Sequence, residues 1–77
     1  MTRHVPPHIP PHIQVNGQRE PLAAPTLDAL LRGKGVVPGA RGVAVALNGE
    51  VVPAGRWADT ALAEGDDLEI VRPFSGG

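Results

Sequence analysis

Apolar and polar residues alternate at Ile13-Gln14-Val15, halt at Asn16-Gly17, and a second extended run follows from Gln18 to Leu22. Alternation with period two belongs to a strand covered on one face, and Asn-Gly is the strongest local signal for a two-residue type I′ turn. Residues 12–22 therefore predict a β-hairpin. Pro21 cannot donate to a ladder, so the returning strand is an outer one or ends there. The period then changes. Leu27, Leu30 and Leu31 fall at i, i+3 and i+4; Thr26 stands at the N-cap, Asp28 suits the positive end of the helix dipole, and Gly33 occupies the expected stop. These residues predict one amphipathic helix of about two turns.

Gly33-Lys34-Gly35, Pro38-Gly39 and Gly42 form a loop leading to Val43-Ala44-Val45-Ala46-Leu47, an unbroken apolar run expected of a strand covered on both faces. Asn48-Gly49 repeats the hairpin signal, and Glu50-Val51-Val52 turns back until Pro53 ends the pairing. A polar crossing from Ala54 to Glu64 follows, with Trp57 expected to pack down as an anchor. Gly65-Asp66 makes a turn, and Asp67 to Arg72 is the final strand, with Leu68 and Ile70 on one face and Glu69 and Val71 on the other. Hairpin, helix, central strand, short strand and final strand make an α+β fold: a mixed β-grasp sheet packed on one short helix.

Two stretches lie outside this pattern. Residues 1–11 are expected to be a disordered arm, because Pro6-Pro7-His8-Ile9 and Pro10-Pro11-His12-Ile13 repeat a tetrapeptide that favours polyproline II geometry. In that three-per-turn helix a step of four rotates each side chain by about 120°. His4, His8 and His12 therefore point apart, and no metal site is assigned to them. Residues 12–72 form the expected folded domain. Residues 73–77, Pro73-Phe74-Ser75-Gly76-Gly77, read as a flexible functional tail in which Pro73 ends the ladder and the Cβ-free glycines suit entry into a narrow channel.

Composition narrows the chemistry. Seventy-seven residues give one small domain with no room for a large buried active site. The absence of cysteine excludes disulfides, thiolate metal sites and a thiol nucleophile on this chain. A net charge of −1 and two aromatic residues, Trp57 and Phe74, argue against nucleic-acid binding. No apolar run reaches the length of a membrane span, and the Pro-rich start is no signal-peptide core, so a cytoplasmic location is the expectation. No Ser/His/Asp set, paired-carboxylate cleft or phosphate-cradling loop can be drawn, so no catalytic residue is assigned and the chain is expected not to be an enzyme. The acidic group Glu64, Asp66, Asp67 and Glu69 is either a partner-steering patch or a solvated turn.

From Ile13 onward the chain resembles the ThiS sulfur carriers of thiamine biosynthesis, ubiquitin-like β-grasp proteins. The likeness rests on Val15-Asn16-Gly17, Thr26-Leu27, Val43 to Gly49, Val51-Val52-Pro53 with Trp57 four residues on, Gly65-Asp66, Leu68 to Val71 and Gly76-Gly77. It does not cover the arm. The resemblance implies that the Gly77 carboxylate is adenylated, with ATP, by a ThiF-like partner and converted to a thiocarboxylate. Sulfur would come from a donor such as a cysteine desulfurase and pass to thiazole synthase, which is ThiG-like. By their position alone Gly76, Ser75, Phe74 and Pro73 are expected to govern access of the tail to partner sites, and this chain is expected to bind no cofactor itself. The alternatives are the small subunit of molybdopterin synthase, whose tail usually carries paired prolines, and a ubiquitin-like protein modifier. A plain interaction module with an incidental C-terminus is the blandest reading.

Overall fold

The computed structural model describes residues 10–39 and 41–72. The expected arm falls outside that span except for Pro10 and Pro11, and the expected tail falls outside it entirely. Strand β1 (His12–Val15) and strand β2 (Gln18–Pro21) pair antiparallel, Val15 facing Gln18 and His12 facing Pro21. Asn16 and Gly17 join them with φ of 52° and 80°, the two positive values that a type I′ turn requires. Pro21 is the last residue of β2, which lies at the sheet edge, where its missing N–H leaves no ladder bond unmade.

Helix α1 (Leu27–Gly33) starts as its sequence predicts: the Thr26 hydroxyl accepts from Ala29 N–H at 3.2 Å, and Asp28 sits in the first turn. It ends at Gly33 as expected, and Gly35, at φ 81°, makes the reversal. Gly35 N–H donates to Arg32 O at 3.0 Å and Val36 N–H to Leu31 O at 2.8 Å, the paired bonds of a Schellman motif, with Val36 buried beneath them.

Strand β3 (Ala44–Leu47) pairs antiparallel with β4 (Glu50–Val51) through a second Asn-Gly turn, Asn48 at φ 51° and Gly49 at 86°. Strand β5 (Asp67–Val71) lies between β1 and β3, parallel to the first and antiparallel to the second, giving the order β2-β1-β5-β3-β4. This is the mixed β-grasp sheet with its short helix.

One face of the sheet carries Ile13, Val15, Val45, Leu68 and Ile70, which meet Leu27, Leu30 and Leu31 of α1 in the core. The other face is open. The apolar run around β3 is therefore not covered on both sides: Val45 is buried, whereas Ala44 on the opposite face is exposed. Among the described residues nothing lies over that second face, and alanine tolerates exposure there. The crossing after β4 is more ordered than expected: Ala54–Asp59 forms a 3-10 helix, and the buried Trp57 within it is the anchor foreseen.

Candidate functional site at the exit of the last strand

The residues assigned to the site from sequence, Pro73, Phe74, Ser75, Gly76 and Gly77, lie outside the described residues. The structure describes the platform from which they depart. Strand β5 is the centre of the sheet and alternates strictly, with Leu68 and Ile70 buried and Asp67, Glu69 and Val71 exposed. Its last residues are held from three directions.

On the β3 side, Val71 pairs with Ala44 and Ile70 with Val45. On the β1 side the Asn16 side chain holds Ile70 twice: its Oδ1 accepts from Ile70 N–H at 2.7 Å, and its Nδ2 donates to Ile70 O at 3.2 Å. Past the helix end, the Arg72 guanidinium donates to the Lys34 carbonyl at 3.0 Å. Lys34 is the sole lysine of the chain, and its ammonium group pairs with Glu20 of β2 at 3.0 Å. The exit is thus tied to two strands and to the turn that ends α1.

The opposite end of β5 is fixed in the same manner. Asn48 Oδ1 accepts from Asp67 N–H at 2.9 Å, and Asn48 Nδ2 donates to Asp66 Oδ1 at 3.1 Å. Asp66 Oδ2 accepts in turn from Ala63 N–H at 2.8 Å. The acidic group noted in the sequence therefore divides: Asp66 builds a turn, while Asp67 and Glu69 stand exposed on the open sheet face. Local reading gave both asparagines to their turns alone. Their bonds to β5 depend on a strand far along the chain, and only a prediction of strand order could have suggested them.

The open face joins this exit to a cluster of apolar side chains bordered by Glu69 and Asp67. Register places Ala44, Ala46, Val51 and Val71 on it, with Val51 74% and Val71 60% exposed. Elsewhere, one open hollow of about 470 Å3 is bordered by His12, Arg19 and Glu64 but by no hydroxyl or thiol side chain. Among the described residues, no three histidine or carboxylate side chains converge as metal ligands. No helix among them is long and apolar enough to cross a membrane.

The comparisons agree with this geometry. The model of the ThiS family matches residues 13–77. The crystal structure of a thiamine biosynthesis protein (ThiS) from Geobacter metallireducens is 32% identical, with 86% of this chain and 99% of that one covered and a TM-score of 0.65. A solution structure of a thiamine biosynthesis protein from the same organism is 29% identical, over 86% of this chain and 87% of that one, with a TM-score of 0.68. No curated protein matches the chain.

Proposed function

The chain belongs to the ThiS family, and from that premise we propose that it is a sulfur carrier of thiamine biosynthesis whose reacting group is the Gly77 carboxylate. The observation that carries the proposal is the extent of the family match, which runs through Gly76-Gly77 to residue 77. A carboxylate is a poor electrophile at its acyl carbon. Adenylation by a ThiF-like enzyme forms a mixed anhydride between the Gly77 carboxylate and the α-phosphate of ATP and releases pyrophosphate. The outer sulfur of a persulfide, supplied through a donor such as a cysteine desulfurase, then attacks the acyl carbon and AMP leaves, giving an acyl disulfide whose S–S bond a thiol reductant cleaves. The resulting thiocarboxylate passes its sulfur to a ThiG-like thiazole synthase.

The chain carries no cysteine, so no side-chain thiol competes to hold sulfur. ATP belongs to the partner's site and no resident cofactor is assigned. Phe74 and Ser75 set the grip and depth of the tail in a partner's channel, and Gly76 gives access where a Cβ would block it. The adenylating enzyme docks on the open sheet face, whose exposed Val71 is one residue before Arg72 at the exit.

Adding one alanine after Gly77 tests the proposal, because it moves the carboxylate off the position the partners read. The expected result is loss of both adenylation and sulfur delivery to thiazole synthase; retention of either would remove the assignment. The use of molybdopterin synthase's large subunit as acceptor would instead favour the alternative carrier role.

A further inference from the structure

The last bonds on the β1 side of β5 are not made by the β1 backbone. Gln14 N–H donates to Asp66 O at 2.9 Å and Asn16 N–H to Leu68 O at 2.8 Å, the evenly spaced, slanted bonds of a parallel ladder. Continued, that pattern would take Ile70 N–H to a carbonyl at position 16 and an N–H at position 18 to Ile70 O. By then β1 has turned away, and Gln18 is committed to pairing with Val15 in the hairpin. The Asn16 carboxamide supplies both missing groups, its oxygen at 2.7 Å from Ile70 N and its nitrogen at 3.2 Å from Ile70 O. A side-chain amide has one acceptor and a donor in the arrangement of a peptide unit, which asparagine offers and aspartate does not.

We propose that Asn16 is a positioning residue: its carboxamide carries the β1–β5 ladder one pair past the hairpin turn and so fixes where, and in what direction, the chain leaves the sheet toward residues 73–77. This rests on the carrier reading and deepens it, naming a residue that governs delivery of the tail without touching the reacting atoms. Arg72 supplies the other side-chain tie, but through a long exposed side chain bonded once. Asn16 is short and bonded twice, so it sets register as well as proximity. Asn48 makes the comparable contacts at the far end of β5, away from the exit, and is the natural control.

The test uses the full chain with ATP and a ThiF-like adenylating enzyme, reading pyrophosphate release for kinetics and amide hydrogen exchange for the state of Ile70. Asn16→Gly deletes the carboxamide yet keeps a residue at home at positive φ. Asn16→Asp keeps the acceptor for Ile70 N–H but turns a second acceptor toward Ile70 O. The expected result for Asn16→Gly is Ile70 exchange faster by about tenfold and a KM for the carrier raised about threefold or more, with kcat changed less, because fewer chains present the tail correctly. Asn16→Asp moves both readouts in the same direction, and Asn48→Gly leaves KM within about twofold of the original chain, since its bonds lie away from the exit. Equal KM values for the Asn16→Gly and Asn48→Gly chains would overturn the inference and leave the carrier reading standing. Failure of the original chain to be adenylated would overturn the carrier reading and this inference with it. If Asn16→Gly does not fold, Asn16→Asp carries the same comparison with the same two outcomes.

Discussion

The indole N–H of Trp57 donates to the carbonyl of Val52 at 2.8 Å, tying the buried centre of the 3-10 segment to the residue just past β4. Trp57 is 2% exposed and belongs to the same core as the α1 leucines. Trp57→Phe keeps most of the bulk but strands the Val52 carbonyl and leaves a small void, at a cost of about 1 to 2 kcal/mol. Trp57→Ala removes the anchor and costs about 3 to 5 kcal/mol, a large part of the roughly 5 to 15 kcal/mol typical of a whole domain. Denaturant unfolding of the two variants checks both values, and equal losses would show that the indole bond, not its volume, is what matters.

Two glycines near the end of α1 respond oppositely to alanine. Gly33 is helical with open space where a Cβ would stand, so Gly33→Ala stabilises by about 0.5 to 1 kcal/mol through helix propensity and a less flexible unfolded chain. Gly35 also has open space but sits at φ 81°, so Gly35→Ala destabilises by about 1 to 2 kcal/mol. Thermal melts of the pair report the signs directly. Two shifts of the same sign would mean that the Schellman reversal is not centred on Gly35.

Val71 separates folding from docking. Its side chain is 60% exposed on the open face, so Val71→Lys alters stability by no more than about 0.5 kcal/mol. The same change removes the apolar side chain nearest the exit and sets an ammonium group beside Glu69, and it is expected to raise the KM of the adenylating enzyme for the carrier. Unfolding curves and adenylation kinetics on one preparation read both effects. Wild-type KM in a folded Val71→Lys chain would take the docking surface elsewhere.

Much of this architecture is written locally. Thr26 and the Leu27, Leu30, Leu31 spacing announce the helix start, and each Asn-Gly pair announces its turn, because those interactions span only a few residues. The helix end at Gly33 was legible too, but the reversal at Gly35 was not, because residue type marks both glycines and only backbone φ tells which one turns the chain. The strand around Val45 looked doubly covered because apolar residues do not record whether a second layer exists. The 3-10 segment was missed for lack of periodicity, its bonds being as local as Arg56 N–H to Pro53 O. The carboxamide of Asn16 was read as turn chemistry because its partner, Ile70, is 54 residues away. Of the site itself, Pro73 to Gly77 lie outside the described residues, and what could not be read in the sequence was the clasp that holds Ile70 and Arg72 before them.

The central claim is that the Gly77 acyl carbon carries sulfur, and intact-mass measurement tests it most directly. The chain is incubated with ATP, a ThiF-like adenylating enzyme, a cysteine desulfurase with cysteine and a thiol reductant, then fragmented to locate any change. The account predicts exchange of one oxygen for one sulfur, confined to Gly77 and dependent on ATP. An unchanged mass with a competent partner, or sulfur found at any other residue, would contradict it.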